Sequence, residues 1–167
     1  MKVIVISDTH MPRKGKALPK KLTEELKRAD LIIHGGDWQN LDVYQELSLY
    51  GEVKGVYGNV DQAEIRNLFP EKQVIEAGGI RIGLVHGHGR RLTTEKRAIA
   101  AFEGVEVDCI IFGHSHIPVK KMVGKTLLFN PGSPTDKRRQ DMYSFGILMI
   151  QKGKIDAEHI FFSDKSF

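Results

Sequence analysis

At 167 residues, with 41% hydrophobic and 28% charged residues, the chain has the make-up of a globular domain long enough to bury a substantial core. No apolar stretch approaches the roughly 20 residues that cross a bilayer, and Met1-Lys2-Val3-Ile4-Val5-Ile6-Ser7-Asp8 is too short and too soon acidic for a secretory signal, so a cytoplasmic protein without membrane association is expected. The net charge of +4 is a modest basic excess, and 8% aromatic residues without basic interleaving give no support to specific nucleic-acid binding.

In chain order, residues 3–6 form a short β-rich apolar run that stops at Ser7-Asp8-Thr9-His10, the pattern of a buried strand leaving its sheet. Residues 18–28 read as a helix, with Leu18, Leu22 and Leu26 four apart and Lys and Glu on the other face. A second apolar run, 31–33, ends at His34-Gly35-Gly36-Asp37. Asn40 is a cap for a helix over 40–47 with Leu41, Tyr44 and Leu47 on its apolar side. Residues 53–56 lead into Tyr57-Gly58-Asn59-Val60-Asp61, and residues 80–85 into His86-Gly87-His88. A third helix covers 94–102, with Thr93 or Thr94 as cap and Gly104 as terminator. The run 109–112 begins with the single cysteine, Cys109, read as a small core residue, and ends at Gly113-His114-Ser115-His116.

Beyond this point the segments 119–123, 126–129, 144–150 and 154–161 follow one another without room for helices, joined in pairs by hairpin turns at Gly124-Lys125 and Lys152-Gly153. Alternating strands and helices in the first half predict parallel pairing, and the second half predicts antiparallel strands that form a second sheet or extend the first. One α/β domain over residues 1–167 is expected, a two-sheet sandwich flanked by helices, with a single mixed sheet as the alternative.

Five strand ends carrying Asp, His and Asn are most economically explained by one shared site with hydrolytic metal chemistry. Asp8 and His10 are two apart, so in an extended segment both point to one side and reach one cation. Oxygen and imidazole donors together suit Mn, Fe, Co, Ni or Zn better than Mg or Ca. Asp37 follows two glycines that permit a close backbone approach. His114 and His116, straight after an apolar run, are a stronger signal, and His86 and His88 repeat it. His34 reads as a strand-end residue beside the site, and His159 as structural. Arg13 and Lys14, just past His10, read either as a solvated surface or as a phosphate-attracting rim.

The ordered series Asp8-x-His10, Gly35-Gly36-Asp37, Gly58-Asn59-Val60-Asp61, His86-Gly87-His88 and Gly113-His114-Ser115-His116 resembles the calcineurin-like metallophosphoesterase superfamily, in particular its small bacterial and archaeal phosphodiesterases. The resemblance spans residues 3 to 134 and includes Asn130-Pro131-Gly132-Ser133, similar to that branch's closing loop. It implies a four-layer α-β-β-α fold and two divalent cations, one held by Asp8, His10 and His116, the other by Asn59, His86 and His114. Asp37 would bridge them. Such a pair, roughly 3.5–4 Å apart, shares a hydroxide and clamps a phosphoryl oxygen. The implied activity is hydrolysis of phosphate diesters, of small-molecule or nucleotide origin, by that bridging hydroxide.

One departure stands out. Many relatives carry a His after the Asn, where it serves the leaving oxygen; here the position is Val60. His88 and Asp61 are the candidates for proton handling, Asp61 more readily as an orienting partner of a ligand such as His86. For His88, a substrate-facing role and a structural one stand level. Asn59 would add its amide to the charge neutralisation. Three alternatives are weighed against a diesterase: a phosphomonoesterase or protein phosphatase, a DNA nuclease, disfavoured by Val60 and by length only for the core, and a non-catalytic scaffold resembling a retromer subunit of the same superfamily. An edge strand of the second half offers a surface for a homodimer.

Overall fold

A computed structural model describes residues 1–166, in which ten strands form two five-stranded sheets. The first sheet has β1 (Lys2–Ile6), β2 (Leu31–His34) and β3 (Val53–Gly55) in parallel, extended by the antiparallel pair β9 (Tyr143–Gln151) and β10 (Lys154–Phe162). The second joins β4 (Lys72–Ala77), β5 (Ile80–Val85), β6 (Cys109–Ile111), β8 (Thr126–Asn130) and β7 (Val119–Val123), in that spatial order. The two late hairpins therefore divide, one entering each sheet. Within the second sheet β8 runs parallel to β6 and antiparallel to β7.

Strand alternation sorts the core into three layers. Val3 and Val5 of β1 face the second sheet and pack with Ile82, Leu84, Cys109 and Ile111. Ile4 and Ile6 face outward, under the helices α1 (Lys20–Leu26) and α2 (Leu41–Ser48), where they meet Leu22, Leu26, Val43 and Leu47. On the far side Ile110 and Phe112 pack with Ala98 and Phe102 at α4 (Thr94–Ala101). The result is the four-layer α-β-β-α arrangement, with two sheets rather than one. Burial pushes the Cys109 thiol up to about 12, so it behaves as an apolar core group.

Helices α1 and α4 are shorter than periodicity predicts, and α2 is shifted by one residue. Pro19 is extended at ψ 143° and fixes the start of α1, so Leu18 is buried outside the helix. Asn40 caps α2 by accepting the Asp42 N–H, and Thr93, not Thr94, caps α4 by accepting that of Lys96. A fourth helix, α3 (Ala63–Leu68), follows the Asn59 loop.

Candidate metal centre

The loops leaving β1, β2, β3, β5 and β6 meet at one place, so the shared site straddles both sheets. Asp8, His10 and His116 converge with one donor atom each within 4.8 Å of one another, and so do Asp37, His86 and His114. Asn59 joins the second group, its Oδ1 3.2 Å from His114 Nδ1. All seven predicted ligands are thus brought together.

Their backbone is unusual. Asp8, His10, Asp37, His114 and His116 all adopt positive φ, between 46° and 70°. Non-glycine residues seldom do so, Asp and His tolerate it better than most, and such strain collects at functional sites. The expected extended Asp8-Thr9-His10 is therefore corrected. A left-handed twist at both ends, not strand alternation, turns Asp8 and His10 toward the same point, while Thr9 is buried with its hydroxyl 3.1 Å from His34 Nε2.

Asp37 lies between the groups. Its Oδ1 accepts the Val60 N–H at 3.1 Å, which leaves Oδ2 3.2 Å from His86 Nε2 and 3.6 Å from His10 Nε2. In Asp8, Oδ2 accepts the Ser7 hydroxyl and the His114 N–H, and Oδ1 is turned inward, 3.5 Å from His116 Nε2 and 3.8 Å from His86 Nε2.

The imidazoles are oriented from behind. His86 Nδ1 donates to the Gly35 carbonyl at 2.7 Å, and His116 Nδ1 donates to the Asp136 carbonyl at 2.5 Å. Each Nε2 then faces inward, toward the carboxylate oxygens, and that of His116 stands 3.3 Å from His10 Nε2. Asp8 Oδ1 and His86 Nε2 are buried without a hydrogen-bond partner. A cation there satisfies these atoms, whether a proton on His86 in the metal-free chain or a metal ion, and the donor set fits divalent metal ions.

Electrostatics agree. Burial disfavours a charged His86, but the Asp8 and Asp37 carboxylates outweigh it and raise the ring to about 9. Burial also works against ionised Asp8, yet His86, the nearby His10 and His116 rings and the Ser7 hydroxyl hold the carboxyl well below the ordinary range. His114 is pushed down to about 4 by burial and by His86.

Asp61 behaves differently from expectation, while His34, the last residue of β2 as expected, has a further role. Asp61 makes no hydrogen bond to His86; its Oδ2 accepts the N–H groups of Asp37 and Gly58, and its Oδ1 that of Gln39. It clamps two ligand loops through their backbones. His34, read as a strand-end residue, is buried, stacked on Trp38 at 3.7 Å, and accepts the Gly36 N–H on Nδ1. No sequence motif marks either role. His88 is half-buried, its ring 5.6 Å from that of His86, with Nδ1 lacking a partner. Burial and His86 hold its pKa below the usual value. Val60 is 44% exposed. His159 donates Nε2–H to the Asn130 carbonyl at 2.7 Å and belongs to neither ligand group.

Fold and site together define a metal-binding phosphoesterase class. The calcineurin-like phosphoesterase superfamily domain matches residues 1–153, and the chain belongs to that superfamily. It is 35% identical over 162 residues to a probable metallophosphoesterase of Methanothermobacter thermautotrophicus, covering 96% of this chain and 92% of the relative. A probable metallophosphoesterase of Methanocaldococcus jannaschii is 37% identical over 143 residues, covering 83% of this chain and 70% of the relative. Among solved structures, Entamoeba histolytica Vps29 complexed with Zn²⁺ superposes with a TM-score of 0.75 at 27% identity, covering 96% of this chain and 99% of that one. Among the described residues no helix is long and apolar enough to cross a membrane.

Proposed function

We propose that the chain is a dinuclear metal-dependent phosphodiesterase. One observation carries the reading: Asp37 Oδ2 stands between two ligand groups, 3.6 Å from His10 Nε2 and 3.2 Å from His86 Nε2. One cation is assigned to Asp8, His10 and His116, the other to Asn59, His86 and His114, with Asp37 shared. Two divalent ions held there would supply Lewis acidity to a phosphoryl oxygen and would acidify water.

The remaining work falls to the chain. Asp8 and Asp37 offset part of the cationic charge and leave a net positive site for an anionic ester. Gly35 and Asp136 carbonyls hold His86 and His116 in the tautomers that face inward. The exposed Asn59 amide, beside His114, is assigned to donate to a non-bridging phosphoryl oxygen. His88, outside both groups, is assigned the proton of the leaving alcohol, a role that Val60 cannot fill. Asp61 contributes through position, by fixing Asp37.

The test is hydrolysis of bis(p-nitrophenyl) phosphate, compared with the p-nitrophenyl monoester, in the presence of Mn²⁺, Ni²⁺, Fe²⁺, Co²⁺ or Zn²⁺. Faster turnover of the diester supports the reading. Preference for the monoester favours a phosphomonoesterase. Inactivity of protein shown to hold two ions would favour the scaffold reading that the likeness to Vps29 raises.

A further inference from the structure

A cleft of 620 Å³ opens beside His10, lined also by Val60, Gln39, Arg13, Lys14 and Arg138. The three cations are exposed, and their segments are tied to the loops of the metal centre. The Lys14 N–H donates to the His10 carbonyl at 2.7 Å, so Arg13 and Lys14 ride on a turn that begins at a ligand. Lys165 Nζ donates to the carbonyls of Lys14 and Thr135, at 2.6 and 2.9 Å, and joins that turn to the loop bearing Arg138. Arg138 has a left-handed backbone, φ 49°, and its Nη1 reaches the His114 carbonyl at 3.5 Å.

Among the described residues, none of these three cations pairs with a carboxylate. The acidic residue of the cleft, Asp136, has its carboxylate 3.9 Å from His116 Nδ1. Gln39 is held at φ 92° by its N–H to Asp61 Oδ1 and by the Gln62 N–H on its carbonyl. A strained non-glycine residue kept in a cleft wall marks a shaped surface. Among the described residues no Phe, Tyr or Trp lines the cleft, so stacked bases of a nucleic-acid strand have no broad platform.

We propose that this cleft is a subsite for a second phosphate group, and that the preferred substrates are small phosphate esters whose remote arm carries one. The inference rests on the phosphodiesterase reading, which places the scissile phosphorus between the two ligand groups. Two arginines and a lysine, free of carboxylate partners, match the charge and the fork geometry that phosphate recognition needs.

The test uses the metal-loaded protein and two matched pairs of compounds. The first pair is an alkane bisphosphonate and the alkylphosphonate of the same length, neither of which can be hydrolysed. Calorimetry is expected to show the bisphosphonate bound at least about tenfold more tightly. The combined Arg13→Ala, Lys14→Ala, Arg138→Ala variant, shown folded by circular dichroism, is expected to lose that preference. Arg138→Lys keeps part of it, and Lys125→Ala, at a distant hairpin turn, keeps all of it. Equal affinities in the unaltered protein, or a preference that survives the combined variant, would overturn the subsite.

The second pair is a p-nitrophenyl diester with a phosphoethyl arm and one with an ethyl arm, compared by kcat/KM. A bisphosphonate preference without turnover of either diester sinks the phosphodiesterase reading and leaves the subsite standing. Turnover of both at equal rates, with no binding preference, does the reverse.

Discussion

Asp61 Oδ2 accepts the backbone N–H of Asp37 at 2.9 Å, so one carboxylate positions another that sits between the two ligand groups. The same oxygen takes the Gly58 N–H at 2.7 Å, and Oδ1 takes that of Gln39. Asp61→Ala leaves three N–H groups without their acceptor and is expected to cost about 2–4 kcal/mol of stability in the metal-free protein, read from denaturant unfolding. Asp61→Asn, which keeps one acceptor, should cost less yet weaken metal affinity by about 10–100-fold, because Asp37 loses its support. Unchanged metal affinity in Asp61→Asn would remove the positioning role.

Gly113 lies against β1's exit loop, where a Cβ would collide with Ser7 Oγ and approach Asp8 Oδ2 at 2.6 Å. Gly113→Ala is therefore expected to displace the Asp8 carboxylate and abolish binding of the cation assigned to Asp8, His10 and His116. The sheets, whose core lies elsewhere, should remain folded. Metal content with circular dichroism distinguishes this from global unfolding; full metal content would contradict it.

His34 is held neutral by burial, with its pKa pushed from 6.5 down to about 3. Its folded pKa is below the unfolded value, so its contribution is complete above pH 6.5 and is lost as pH falls toward about 3. His34→Asn retains an acceptor for the Gly36 N–H but has no such titration. In metal-free protein the gap in Tm between the native chain and this variant should narrow as pH falls from 7 to 4. A gap independent of pH would show that His34 is not the group responsible.

Much of the fold and of the site is legible in the amino-acid sequence alone. The apolar runs of β1, β2, β5 and β6, each ending in Asp or His, mark where the candidate ligands leave their strands, and hydrophobic alternation within β1 places Val3 and Val5 on one face and Ile4 and Ile6 on the other. Short edge elements are harder to read: β4 buries only Ile75 and Ala77, and α3 only Ile65, too few positions for a period to register. The positive φ of the ligands and the backbone-directed roles of Asp61 and His34 carry no sequence signature at all. They depend on N–H groups, which every residue but proline possesses, and only tertiary placement decides which of them a side chain meets.

The central claim is two cations sharing Asp37 and acting on a diester. Its most direct test is a titration of metal-free protein with Mn²⁺, following bound ion and bis(p-nitrophenyl) phosphate turnover together. The account predicts saturation at two ions per chain, with turnover rising to a plateau at the second equivalent, and loss of that turnover in Asp37→Asn and His114→Ala. Saturation at a single ion, or full activity in Asp37→Asn, would contradict it.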